Sequence, residues 1–186
     1  GLLQHHAFAD YEDRYLDALK ARPLSATPDR ITLARGIAQE QRCWNDRPDL
    51  DRAGADADAV ARAAGQDVAS HWGISRSMLN EARKQQEACW SEALTRFRAA
   101  FSSDDAGAEA RVRGAWILFQ VGQPRDASEM IDGASPEDDP ELTYWAGLFR
   151  GRIADSLGRH PEAEHAYRAA LQASPDAQSA GIGLAL

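Results

Sequence analysis

One small–large–small triplet returns three times along this chain, and it restricts the fold more than any other feature. Ala93, Phe97 and Ala100 align without gaps with Ala127, Ile131 and Ala134, and again with Ala163, Tyr167 and Ala170, at offsets of 34 and 36 residues. Intervals of four and three put the three side chains of each triplet on one face of a helix. Alanine on either side of a large residue leaves room for a second helix to approach closely. A period in the mid-thirties is that of a two-helix unit repeated along the chain. The turns recur as well, since Gly122 and Gly158 each open the pattern Gly-x-x-x-x-Ala. Pro175 closes the last unit, because proline cannot donate the next helical hydrogen bond and disfavours helix in the residue before it.

Composition agrees with close-packed helices. Alanine is about a fifth of the 186 residues, and apolar residues make up 44 % and charged residues 27 %, the balance of a globular chain. The length suits one domain, or one repeat array with a cap. Net charge is −8 and no basic stripe appears, so nucleic acid is not an expected partner. No apolar run approaches the roughly 20 residues that span a bilayer. The chain starts without a methionine or a signal peptide and stops in the middle of an apolar helical pattern, as a segment of a longer array would.

Taken in order, a first helix is expected over Ala7–Arg22, with Phe8, Tyr11, Tyr15, Leu16 and Leu19 on one side. Thr27-Pro28-Asp29 reads as a helix start, an N-cap hydroxyl followed by proline at the first helical position, and that helix runs through Ile37 and Trp44 to end before Pro48. Asn45–Asp58 is an acidic loop. Its aspartates imitate a calcium loop, but Ala53 and Val60 stand where oxygen ligands are required. A further helix over Ala57–His71 carries Val60, Ala64 and Val68 and is expected to end at His71. From Ile74 the repeats begin, the earliest with a glycine-free turn at Gln86–Trp90. Ser179–Leu186 reads as the opening of another helix.

From Ile74 to Leu186 this pattern, with Ala115 and Gly151 at the close-contact site of the first helix in their units, resembles the tetratricopeptide repeat (TPR) family. Glu81 departs from it at the equivalent place in the earliest copy. The resemblance implies an all-α fold, a right-handed α-solenoid of helix-turn-helix repeats with an N-terminal helical cap. Residues 1–72 would form the cap or degenerate repeats, and 73–186 about three repeats plus the start of a further helix. In such arrays the first helix of each repeat lines a concave groove. By register the groove would hold Met78, Ala82, Gln85 and Gln86, then Val112, Trp116, Phe119 and Gln120, then Trp145, Leu148, Arg152 and Asp155. The lysines and asparagines by which some arrays clamp the acidic tail of a chaperone are replaced by Met78, Ala82, Val112 and Trp116. The expected ligand is therefore a hydrophobic or amphipathic peptide anchored by Trp116, Phe119 and Trp145. The competing reading has these aromatics covered by the chain's own N-terminal helices, through Tyr11, Tyr15 and Trp44.

Cys43 and Cys89 admit two readings. They are either two small buried side chains in a reducing cytoplasm, or one disulfide closing a loop of about 46 residues, which would place the protein in a periplasm or outside the cell. No motif for catalysis, cofactor or metal occurs. His160 and His165 are five apart and do not share a helical face, and the pairs Asp104-Asp105 and Asp138-Asp139 read as turn residues that cap helices. The expected function is a non-enzymatic TPR-type scaffold for protein–protein interaction, a segment of a larger bacterial exported or envelope protein. The alternatives are a cytoplasmic regulatory module, or the accessory region of an enzyme whose catalytic residues lie elsewhere. Neither the partner nor the oligomeric state is written in the sequence.

Overall fold

The computed structural model describes residues 27–45, 69–136 and 139–185; in the second helix the side chains of 69–76 and of Met78 stand outside that set. The expected helix over 7–22, the acidic loop with its calcium-like spacing and most of the helix ending at His71 fall outside the described residues. Among the described residues the protein is all-helical, with seven helices and no strand: α1 Pro28–Asn45, α2 Ala69–Ala99, α3 Gly107–Gln120, α4 Pro124–Asp132, α5 Pro140–Ser156, α6 His160–Ala173 and α7 Gln178–Ala185.

Local chemistry sets the boundaries. Thr27 caps α1 through its hydroxyl, which accepts from the Arg30 amide at 3.3 Å, with Pro28 in the first helical position. Asp139 does the same for α5, accepting from the Leu142 amide at 3.0 Å. The turns after α3 and α5 are built alike. Gly122 and Gly158 take φ of +79° and +72°, a region that glycine enters without steric cost. At each, the next residue's amide returns to a carbonyl five positions back, Gln123 to Leu118 and Arg159 to Ala154, both at 2.9 Å. The two turns therefore share a backbone conformation as well as a sequence pattern. α6 ends at Ala173, ahead of Pro175.

The large residues of the first and last triplets, Phe97 and Tyr167, each meet a helix that has given up bulk. A β-carbon at Gly151 on α5 would stand 2.3 Å from the Tyr167 ring of α6, and one at Gly147 would stand 2.9 Å from the β-carbon of Ala170. Gly114 on α3 faces Met130 of α4 in the same way. For Phe97 the small partner is Gly36 of α1, where a β-carbon would come within 2.8 Å of the ring.

The second helix departs from the expected helix-turn-helix. Gln86–Trp90 is no turn. α2 runs unbroken from Ala69 to Ala99, straight through His71 and through Gln86–Trp90. Between Ile74 and Asp105 there is neither glycine nor proline, so nothing there interrupts a helix. The helix packed on Phe97 is α1, whose Gly36 stands against the ring. The boundary expected between residues 72 and 73 falls inside α2.

Helices pack in series, α1 on α2, α2 on α3 and so on to α7, while α3 also touches α5 and α5 touches α7. Antiparallel pairing of α1 with α2 is fixed by Cys43 with Cys89 and Gly36 with Phe97, and just past α2 by Arg30 with Asp105. By that register the first 18 or so residues of α2 extend past the end of α1, about 27 Å at 1.5 Å per residue.

Candidate functional site

The aromatic residues of α3 and α5 form a ladder between the two helices. Trp116 stacks on Phe149 with centroids 4.2 Å apart and planes 12° from parallel. On one side Phe119 continues the stack at 5.4 Å from Trp116. On the other, Trp145 lies 5.6 Å from Phe149 and meets Tyr144 edge-on at 5.2 Å. Arg152, one turn beyond Phe149 on α5, places its guanidinium 5.6 Å from the Trp116 centroid. The middle of the ladder is closed, with Trp116 and Phe149 each 8 % exposed. Its margins, Phe119, Trp145 and Arg152, keep part of their surface in solvent.

The groove residues expected from the register separate into distinct places. Trp116, Phe119, Trp145 and Arg152 come together as the ladder. Val112 and Leu148 stand behind it in the core, each 1 % exposed, because their helix faces point at neighbouring helices rather than outward. Asp155 is committed elsewhere. Its carboxylate accepts from the Tyr167 hydroxyl at 2.8 Å and stands 3.4 Å from His160 Nδ1. Burial and that carboxylate push the Tyr167 phenol well above its ordinary range, so it stays protonated as a donor. Gln85 is exposed on α2, bonded along the helix to Glu81 at 3.4 Å. Ala82 is half-buried on the same helix, and nothing is described of the Met78 side chain. Gln86 and Gln120 line a separate open cleft of about 170 Å³, with Trp44, Trp90, Arg83 and Glu87 among its other walls. Trp44 stands there edge-on to Trp90 at 4.8 Å, while Tyr11 and Tyr15, its expected companions in covering the aromatics, lie outside the described residues. The register did not select Phe149, the central member of the ladder. Its signal was present, since it lies one helical turn from both Trp145 and Arg152.

A disulfide and a buried ion pair help fix α1 to the rest. Cys43 and Cys89 form a disulfide, their Cα atoms 5.7 Å apart, rather than standing as two separate thiols. Deeper in, Glu40 of α1 pairs with Arg113 of α3 at 3.0 Å, and Arg113 reaches Glu109 with its Nε at 2.7 Å. Burial pushes the Glu40 carboxyl up, and the nearby guanidinium works against that shift. Arg113, between two carboxylates, is held firmly protonated.

Asp105 also departs from expectation. No side chain caps α3, and Asp105 instead ties α1 down, accepting from Arg30 Nε at 3.0 Å and from the Thr27 hydroxyl at 3.1 Å. No group of three His, Cys, Asp or Glu among the described residues could hold a metal ion, and no helix of the described residues is long and apolar enough to cross a membrane. Comparison with protein-family models, with curated proteins and with solved structures finds no match for the chain.

Proposed function

We propose that this protein is a non-enzymatic, right-handed α-solenoid of TPR type that holds a protein or peptide partner against the ladder of α3 and α5. Support for the array comes from the matched glycine turns at Gly122 and Gly158, from the small residues facing Phe97, Met130 and Tyr167, and from contacts between alternate helices α3, α5 and α7. The observation that carries the binding role is the ladder itself. Its closed stack presents Phe119, Trp145 and Arg152 at the margins, two aromatic faces beside a cation. Such a surface suits an amphipathic segment that lays apolar side chains on the rings. The Cys43–Cys89 bond supports an exported setting over a cytoplasmic regulator, since disulfides persist in oxidising compartments.

Peptides selected for binding from a displayed random library test this. Trp145→Ala and Arg152→Ala should each weaken the selected peptides about tenfold, which is roughly 1.4 kcal/mol. Binding is compared at a temperature where both variants are folded, because Trp145 also packs on Phe149 and Tyr144. Selected peptides that bind Trp145→Ala as well as the parent would place their site elsewhere and overturn the reading.

A further inference from the structure

The half-buried arginines of this protein are mostly matched by acceptors from the chain. Arg113 has Glu40 and Glu109, Arg150 has the carbonyls of Ile131 and Ala134, and Arg159 has Glu162. Among the described residues Arg111 and Arg152 are the exceptions, and each lies over a ring instead. Arg111 is closed in. Its guanidinium is 4.5 Å from the Phe101 centroid, and its Nη1 stands against Gly133, 2.9 Å from where a β-carbon would be. Arg152 has the Trp116 ring at 5.6 Å and no hydrogen-bond acceptor among the described residues.

A guanidinium is charged at every physiological pH and carries five N–H donors in a planar fork that matches a carboxylate. The acid one turn further along α5 does not use that fork, since the Asp155 carboxylate accepts from the Tyr167 hydroxyl at 2.8 Å. Trp145 and Arg152 are seven residues apart on α5, two turns, so they share one side of the helix about 10 Å apart. The ladder thus offers an aromatic margin and an unmatched cation at a fixed separation, on a chain whose net charge is −8.

We propose that the segment held by the ladder is acidic as well as apolar: a side-chain carboxylate of the partner pairs with Arg152 while an apolar side chain of the same segment lies on Trp145. The inference rests on the ladder being a binding surface and adds which charge that surface selects. Charge complementarity at Arg152 identifies the partner, because the fork is left for an acceptor from outside the chain. The field of the whole molecule favours the opposite choice, since a body of charge −8 attracts basic segments. A preference for acid is therefore a local property of Arg152, and it can be separated from the field by experiment.

Selection from a displayed random peptide library on the oxidised full chain provides the test, run on the parent, on Arg152→Glu and on Arg168→Glu. Arg168 is exposed on α6, so its reversal changes the net charge equally but away from α3 and α5. Peptides taken by the parent should be enriched in Asp and Glu beside apolar residues. Arg152→Glu should turn that enrichment to Lys and Arg, whereas Arg168→Glu should leave it acidic. Synthesised with an amidated C-terminus, the parent's peptides should still bind, and changing their acid to its amide should weaken them about tenfold. That last measurement uses only the parent protein and so stands even if Arg152→Glu folds poorly. Peptides with no acidic enrichment, an equal response to the two reversals, or binding lost on amidation would each overturn the proposal. Peptides that need Trp145 yet show no preference of charge would overturn it and leave the ladder as a binding surface. Peptides indifferent to Trp145→Ala, or a library that yields no binder, would overturn both.

Discussion

The ring of Tyr167 is seated against two bare backbones, those of Gly151 on α5 and Gly183 on α7, where added β-carbons would stand 2.3 Å and 2.6 Å from it. Its hydroxyl is anchored as well, to Asp155 at 2.8 Å. One side chain thus sets the spacing of three helices, and it has no free direction in which to yield.

Gly151→Ala should therefore destabilise the protein, although alanine is the better helix former. The gain in propensity is about 1 kcal/mol, whereas overpacking a site that cannot relax costs about 1–3 kcal/mol. Gly181, with nothing within 4 Å of a built β-carbon, is the matched control, and there alanine should stabilise by up to about 1 kcal/mol. Ala170→Trp, at a fully buried position opposite Gly147, should cost about 3 kcal/mol or more. Urea unfolding of the three variants gives the order directly. A Gly151→Ala protein more stable than its parent would show that the helices can part there.

Reduction of Cys43–Cys89 should lower stability by up to about 4 kcal/mol, the loop-closure entropy for a separation of 46 residues in the chain-entropy model. The bond joins α1 near its last turn to the middle of α2, so its loss should reach amides of α1 before those of α5 and α6. Hydrogen exchange with and without reductant reads both effects. Equal protection of α1 in the two states would mean that Gly36–Phe97 and Glu40–Arg113 suffice to hold it.

What the sequence made legible was local. The triplets, the glycine turns and the Thr27–Pro28 start are written in neighbouring residues, and helix geometry alone converts them into contacts. The partner of Phe97 is not local. Gly36 is about sixty residues earlier, and nothing in the residues between announces that α1, rather than the start of α2, supplies the facing helix. Read by offset alone, Gln86–Trp90 took the place of a turn, though it lacks any residue that ends a helix. Of the groove, the aromatic identities were legible but their depth was not, because Val112 and Leu148 become core only when α3 and α5 lie side by side. Glu40 shows the same limit. It sits in the polar run Gln39-Glu40-Gln41, yet all three are buried, and its partner Arg113 is 73 residues away.

Acid should loosen the start of α1 before the rest of the molecule. Ser103, Arg30 and Thr27 hold the Asp105 carboxyl below the usual aspartate range. Because folding lowers this pKa, the tie is at full strength above the unfolded value and is lost as pH falls through the folded one. The side chain is exposed, so the effect is local. Amides 30–33 should lose protection below about pH 4, and Asp105→Asn should bring the same loss at neutral pH. Indifference of those amides to both changes would remove Asp105 from any role in anchoring α1.

Arg113 should be far more sensitive than its exposed counterparts. It lies between Glu40 and Glu109, with Glu40 only 4 % exposed, so removing the guanidinium strands a carboxyl in the core. Arg113→Met should cost about 3–5 kcal/mol, the penalty of a buried partner left alone. Glu40→Leu combined with Arg113→Met removes both groups and should recover most of that loss, since a well-packed apolar pair commonly equals a buried ion pair. By comparison Arg159→Met, which breaks an exposed pair with Glu162, should cost less than about 1 kcal/mol. Denaturant midpoints of the three proteins decide the matter. A double variant as unstable as Arg113→Met would mean that the contact is needed for its geometry between α1 and α3, not merely to satisfy a buried charge.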